Sequence, residues 1–255
     1  MEFRDPFAQA QQGGAQQTYG QTRSVSRDAG LRSYMLRIYN YMASALALTG
    51  IVAMVAANSP AFLGALYNVQ GGHAVGMSGL GWLVMFAPVG LVIWLGMGIG
   101  RMSVATAQAI YWTYAVLIGL SLSSIFILYT GESIARTFFV TAGTFGAMSL
   151  YGYTTQKDLS SFGSFLIMGL LGLIVASIVN MFLHSSALMF ATSVLGVLIF
   201  VGLTAWDTQK LKVMYYQVGG SGEMLAKVSI MGALSLYMDF INIFMYMLRF
   251  MGDRK

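Results

Sequence analysis

The segment VSIMGALSLYMDFINIFMYML, residues 228–248, is apolar almost throughout and yet holds Asp239 near its centre. A bilayer core of about 30 Å needs roughly 20 apolar residues of helix to cross it, so this segment has spanning length. A carboxylate at the bilayer centre costs about 2.5–3.5 kcal/mol on insertion scales. A helix that carries one must turn it toward the interior of a bundle or toward a water-filled cavity. The segment therefore predicts a membrane protein with an inward-facing last helix.

Six more apolar runs of spanning length precede this one, which predicts an all-α integral membrane protein, a seven-transmembrane helix bundle. The seven predicted spans are residues 38–57, 81–100, 105–129, 134–153, 162–183, 187–206 and 228–248. Residues 1–33 are rich in Gln, Gly and Arg and lack the apolar core of a signal peptide, so they are expected to form a disordered cytoplasmic tail. Residues 34–250 would form the transmembrane domain, and residues 251–255 a short C-terminal tail.

Two of the connections between the predicted spans are longer than the others. Residues 58–80 are rich in glycine and include the apolar patch 61–67, which is too short to cross a membrane. Residues 207–227 carry Lys210 and Lys212 and are expected to link the sixth span to the seventh.

The composition excludes several classes of protein. The chain is 57% apolar and 9% charged, whereas soluble domains average roughly 25% charged residues. It has no cysteine, which excludes disulfides and thiolate chemistry, and its two histidines argue against a histidine-based metal site. The net charge of +5 is scattered over the ends of the spans, so we expect no nucleic-acid partner and take the lipid bilayer as the surroundings.

The basic residues predict the orientation, because cytoplasmic loops retain Lys and Arg. The N-terminal tail and the connections on its side of the membrane hold ten lysines and arginines, whereas the other side holds four. The N-terminus is therefore expected in the cytoplasm. Three of the four follow the last span, and a re-entrant last segment would place them and the C-terminus in the cytoplasm as well. The full spanning length of residues 228–248 favours a complete crossing.

Two aspartates are the candidate functional residues. Ser235, Asp239 and Asn242 recur at i, i+4 and i+7, so they form a polar stripe on one face of the last helix. Asp207 stands at the end of the sixth span, and its importance depends on pairing with Asp239. Two carboxyl groups in one low-dielectric site would share a proton and titrate as a unit, and they could hold a hard cation such as Ca²⁺ transiently. Alternatively, Asp239 is only a polar tether between helices.

The segments GLTAWDTQK (residues 202–210) and LYMDFINIF (residues 236–244) together resemble the signature of the Bax-inhibitor (transmembrane Bax-inhibitor-motif) family, in its bacterial branch. The resemblance covers about residues 30–250 and implies a multi-pass protein of the bacterial inner membrane, with seven helices of which the last is surrounded by the other six. It also implies a pH-sensitive Ca²⁺ leak channel gated by an aspartate pair that matches Asp207 and Asp239. An arginine at the cytoplasmic end of the second helix is associated with that latch, and Arg101 is the candidate here.

Three other functions stay open. Some bacterial relatives are reported to modulate a membrane-anchored ATP-dependent protease, so the chain could be a non-transporting regulator that binds such a protease or another membrane protein. Two aspartates also suggest an intramembrane aspartyl protease, but the sequence contexts of Asp207 and Asp239 differ from that class, so we expect no enzyme and no cofactor. A secondary transporter would usually need a larger bundle with inverted repeats.

Overall fold

The computed structural model describes residues 6–70, 73–219 and 222–255. Long helices dominate this part of the chain, with one short helix and a β-hairpin between the first two long helices. The elements are α1 (Pro6–Ala57), α2 (Pro60–Leu66), β1 (Tyr67–Gln70), β2 (His73–Met77), α3 (Gly79–Gly98), α4 (Val104–Leu128), α5 (Gly131–Thr154), α6 (Ser160–Leu183), α7 (Ser186–Val218) and α8 (Gly222–Met251).

Several helices begin at a Ser or Thr whose side-chain oxygen accepts a hydrogen bond from a backbone N–H in the first turn. Ser78, Ser103, Thr130 and Ser185 cap α3, α4, α5 and α7 in this way. Such caps satisfy backbone N–H groups that have no partner within the helix. The local sequence therefore defines where these helices begin, independently of how they pack.

Six helices among the described residues are long and apolar enough to cross a membrane. They are α3, α4, α6, α7, α8 and the part of α1 from Ala29 to Ala57, and they cover six of the seven predicted spans. The remaining prediction, residues 134–153, coincides with α5, which has 24 residues but is less apolar than the six others. An all-α membrane protein is therefore confirmed, whereas the count of seven crossings stays a prediction.

The structure corrects one predicted boundary. α7 does not end near Trp206 but continues to Val218, so Asp207, Lys210 and Lys212 lie on a helix and not in a long connection. Hydropathy reports where apolar residues end, and a helix can continue beyond that point because its backbone hydrogen bonds do not depend on lipid. Consequently, α7 and α8 are joined by a short connection around Gly219, which has a positive φ of 66°.

The N-terminal segment and the first long connection also differ from the prediction. α1 begins at Pro6, so helical backbone runs through most of the segment predicted as a disordered tail, and residues 1–5 lie outside the described part. The domain boundary at residue 33 thus stays a prediction. The long connection 58–80 contains α2 and an antiparallel β1–β2 hairpin.

The C-terminal residues dock on the connection between α4 and α5. Backbone N–H groups of Thr130 and Lys255 donate to the carbonyls of Asp253 and Leu128, at 3.1 and 3.0 Å. Arg136 forms an ion pair with Asp253 at 2.9 Å. The end of α8 therefore lies at the same end of the bundle as the α4–α5 connection.

α8 is the most buried of the six apolar helices. Of the 18 residues in its most apolar stretch, 61% are buried within the protein, compared with 11–39% of the corresponding stretch in the other five helices. It packs extensively against α1, α4, α5 and α7, while α3 packs mainly on α4 and α6 mainly on α7. An inward position of α8 agrees with this burial, but its encirclement by all six other long helices is not confirmed.

Candidate functional site

The site forms where α7 and α8 cross closely. Gly232 on α8 lies against Leu211 of α7, and a Cβ placed on this glycine would stand only 2.5 Å from the Cδ2 atom of Leu211. On the other side of the crossing, Gly196 of α7 lies under the ring of Tyr246, which a Cβ would approach to 2.7 Å. Small residues let helices approach closely in lipid. They bring the polar side chains of the two helices within reach of one another.

Asp207 and Asp239 are brought together at this crossing. The two carboxyl groups lie close enough to interact with each other, and the hydroxyl of Ser235 lies near the Asp207 carboxyl. Ser235 is one turn before Asp239 on α8, so these two side chains share a face of that helix. The structure thus joins three of the residues singled out in the sequence.

The environments of the two carboxyl groups differ. Asp239 is 4% exposed, and its Oδ2 atom is buried without a hydrogen-bond partner among the described residues. Asp207 is only partly buried. A buried oxygen without a donor is costly, and its neighbour here is another carboxyl group. A proton carried by either carboxyl group would supply the missing donor, so the geometry suits a carboxyl–carboxylate pair that shares one proton.

Lys210 is the cation closest in sequence to the pair, and the sequence reasoning did not assign it to the site. It lies one turn after Asp207 on α7, and its charge acts on that carboxyl group. Its Nζ atom stands over the ring of Trp206, 4.8 Å from the ring centroid. The Trp206 ring packs against Gly163 of α6, where a Cβ would clash with it. The spacing of Asp207 and Lys210 at i and i+3 on a helix would have indicated this interaction once α7 was known to continue.

Buried hydroxyl groups line the same part of α7. Thr204 and Thr208 are fully buried and donate hydrogen bonds of 2.8 Å to the carbonyls of Phe200 and Thr204. The hydroxyl of Thr208 also lies 3.3 Å from that of Ser149 on α5. These buried hydroxyl groups extend the row of polar side chains from α8 through α7 to α5. In the sequence, only their positions could have pointed to the site: Thr204 lies one turn before Asp207, and Thr208 follows it directly.

The α5–α7 contact is close because of Gly152. A Cβ on this residue would clash with the backbone carbonyl of Ala205. Gln209 of α7 holds the connection between α5 and α6. Its Nε2 donates to the carbonyl of Lys157 at 2.7 Å, and its Oε1 accepts from the N–H of Leu159 at 2.8 Å. α7 is therefore held in register on both sides of Asp207.

An apolar cavity of about 440 Å³ lies between α1, α4, α5 and α8, beginning at Phe240, the residue after Asp239. Its wall includes Phe138, Phe244 and the partly polar Thr49. The ring of Phe240 is in edge contact with those of Phe138 and Phe145, with centroids 5.4 and 5.6 Å apart. This cavity is thus lined largely by apolar and aromatic side chains.

The structure does not bring the remaining predicted residues to the pair. Arg101 is exposed in the turn after α3, and its side chain forms no ion pair or hydrogen bond within the described ranges. Asn242 donates its described hydrogen bond, of 2.8 Å, to the carbonyl of Met238 on its own helix. No third His, Cys, Asp or Glu of the described chain joins the pair into a group that could hold a metal ion. A latch role for Arg101 stays a prediction.

Comparisons with known proteins give one family and several close relatives. A sequence profile described as "Inhibitor of apoptosis-promoting Bax1" matches residues 31–255. An uncharacterized protein of Rickettsia prowazekii is 53% identical over 92% of this chain and 95% of its own length. The inner membrane protein YbhL of Escherichia coli is 50% identical over 91% of this chain and 96% of its own length. An uncharacterized protein of Caulobacter vibrioides is 52% identical over 91% of this chain and 92% of its own length.

Proposed function

The chain belongs to the Bax-inhibitor family of membrane proteins, and on this premise we propose that it is a passive, pH-sensitive leak for Ca²⁺ or another cation in the bacterial inner membrane. Asp207 and Asp239 would form its gate. The N-terminus would lie in the cytoplasm, as the distribution of basic residues predicts. The proposal assigns no catalytic residue and needs no cofactor.

The buried Oδ2 atom of Asp239 is the observation that supports the proposal best. Within the described chain it has no donor, and a carboxyl group on a different helix lies next to it. A shared proton would stabilise the contact between α7 and α8, and loss of that proton would leave two negative charges in a poorly solvated site. The repulsion would then favour separation of the two helices. Proton binding and helix position would thus be coupled.

The apolar cavity that begins at Phe240 supports a closed conformation. A cation cannot enter a space lined by phenylalanine rings unless water enters with it, and hydrophobic constrictions gate channels by excluding water. In the present arrangement Phe240 packs against Phe138 and Phe145. Movement of α8 that follows separation of the aspartates would change these contacts. The carboxylates freed in this way could bind a passing cation transiently.

The experiment that tests the proposal is a flux measurement in proteoliposomes loaded with a Ca²⁺ dye. We expect flux through the wild-type protein to change with pH and flux through Asp239→Asn to be independent of pH, because the amide cannot exchange the proton. Asp158→Asn is the matched control, since Asp158 is exposed in the α5–α6 connection and its Oδ1 accepts from the N–H of Ser160 at 2.9 Å. The control should follow the wild-type pH profile.

Equal flux through wild type and Asp239→Asn at every pH would overturn the proposal that the aspartate pair forms the gate. Absence of flux from all folded variants would instead favour the alternative of a non-transporting regulator that binds a membrane-anchored ATP-dependent protease or another membrane protein. A pull-down from membranes with and without residues 1–30 would then test whether the N-terminal segment carries the contact.

A further inference from the structure

A second cavity, of about 410 Å³, lies at the end of the bundle where α4, α6 and α8 end and α7 begins. It is separate from the aspartate pair, since neither Asp207 nor Asp239 lines it, and its lining combines polar and apolar side chains. The polar lining residues include Arg249, Arg254, Asn180, Ser177 and Ser124. The apolar lining residues are Ile125, Leu128, Met181, Met189, Met245 and Leu248.

The two arginines give this cavity a positive charge. The guanidinium of Arg249 stands over the ring of Tyr246 and that of Arg254 over the ring of Tyr129, at 5.6 and 5.9 Å from the ring centroids. Neither forms an ion pair in the described part of the chain, whereas nearby Arg136 is paired with Asp253. Stacking on aromatic rings leaves the guanidinium N–H donors available for an anion.

Asn180 adds a polar group to the same wall. Its Oδ1 atom accepts a hydrogen bond of 3.0 Å from the N–H of Ser185, which holds the side chain in place at the end of α6. Its amide nitrogen donates no hydrogen bond to another described residue. An amide N–H₂ group beside two guanidinium groups provides donors and no further negative charge, so the ligand that fits is an anion.

The cavity also has residues around it that are typical of the membrane–water interface. Arg249 is in the last turn of α8, while Tyr129 follows the last residue of α4. Tyr is enriched at the membrane–water interface, and Arg at helix ends extends to the same level. α6 packs extensively on α7, and α4 packs on α1, α3 and α8. Within the described residues α4 and α6 do not pack extensively on each other, which leaves a gap between them. An acyl chain can therefore enter this gap from the bilayer.

We propose that this cavity binds an anionic phospholipid, with its phosphate between Arg249 and Arg254 and an acyl chain against the methionine-rich wall between α4 and α6. A phosphate group suits the forked guanidinium donors. A free phosphate ion would satisfy the arginines but would leave the apolar lining residues without a partner, so the lipid is the occupant that matches both kinds of lining residue.

The test is a titration of the full-length protein in detergent with phosphatidylglycerol, read by native mass spectrometry. The variant Arg249→Gln/Arg254→Gln should bind at least tenfold more weakly, a loss of about 1.4 kcal/mol or more, because it removes both charged donors of the proposed phosphate site. The control Arg37→Gln/Lys157→Gln removes the same charge from exposed positions elsewhere and should bind as wild type does. Arg254→Gln alone, next to the chain end, leaves the helices intact and should weaken binding in the same direction.

Two competitors distinguish the lipid from simpler ligands. Diacylglycerol, which has the chains but no phosphate, should not displace phosphatidylglycerol, and neither should inorganic phosphate at equal concentration. Displacement by inorganic phosphate would identify a small-anion site and overturn the lipid proposal. Equal binding of phosphatidylglycerol by both double variants would also overturn it, because the arginines would then have no part in the binding.

Discussion

The carboxyl group of Asp207 on α7 meets that of Asp239 on α8, and the latter is the more deeply buried of the two. If the pair shares a proton, infrared spectra of the wild-type protein at neutral pH should contain the C=O stretching band of a protonated carboxylic acid. Either Asp207→Asn or Asp239→Asn should change that band, because each removes one of the partners. Bands identical to wild type in both variants would contradict a shared proton.

The control for this spectrum is Asp158→Asn. Hydrogen bonds from the side chain and the backbone N–H of Ser160 hold the pKa of Asp158 below its ordinary value. A lowered pKa means that the carboxylate is ionised at neutral pH and protonates only in stronger acid. Its replacement by Asn should therefore leave the carboxylic-acid band unchanged at neutral pH.

Gly152→Ala should destabilise the protein, because a methyl group there would clash with the carbonyl of Ala205 and force α5 away from α7. Overpacking of this kind costs about 1–3 kcal/mol. Gly143→Ala on the same helix has no atom within 4 Å of the added Cβ, and it should be neutral or slightly stabilising. Thermal unfolding in detergent measures both variants. A loss of stability in Gly143→Ala as large as in Gly152→Ala would show that the close approach is not the cause.

The hydroxyls of Thr49 on α1 and Tyr237 on α8 are 2.6 Å apart and buried, and that of Thr49 also donates to the carbonyl of Ala115 on α4 at 3.0 Å. A double-mutant cycle of Thr49→Val and Tyr237→Phe should give a coupling energy of about 0.6 kcal/mol, as side-chain hydrogen bonds between membrane helices do on average. Tyr216→Phe replaces an exposed tyrosine and should show no coupling to Thr49→Val. Zero coupling in the first cycle would indicate that the hydrogen bond does not stabilise the fold.

Gln209→Ala should loosen the α5–α6 connection, because it removes the hydrogen bonds to the carbonyl of Lys157 and from the N–H of Leu159. Hydrogen exchange in residues 157–160 should increase, while the rest of α6 is unaffected. Gln217→Ala, on the exposed surface of the same helix, is the control and should leave this exchange unchanged. Protection in Gln209→Ala equal to that in the control would contradict the role of Gln209.

The path of the last helix can be tested by labelling, since the chain has no native cysteine to block. In intact cells Glu132→Cys and Lys255→Cys should both react with an impermeant thiol reagent, because the C-terminal residues dock on the α4–α5 connection. Asp158→Cys, at the other end of α5, should react only after the membrane is opened. Reaction of Glu132→Cys without reaction of Lys255→Cys would contradict this docking, because the C-terminus and the α4–α5 connection would then differ in their access to the reagent.

The sequence by itself determined the membrane character, the positions of the apolar helices and the unusual place of Asp239. These properties follow from the cost of placing each residue in lipid, which depends on local composition and helical periodicity. Family membership was also predictable, because the segments around Asp207 and Asp239 carry it and a family profile matches residues 31–255.

Only the tertiary structure decided which side chains meet. The contact of Asp207 with Asp239 depends on the rotation and register of α7 and α8, and these are set by close packing at glycines such as Gly152, Gly196 and Gly232. The same packing left Arg101 exposed and brought Gln209 to the α5–α6 connection. Hydropathy cannot supply this information, because lipid solvates the apolar faces of a helix alike, whereas packing against neighbouring helices selects which face turns inward.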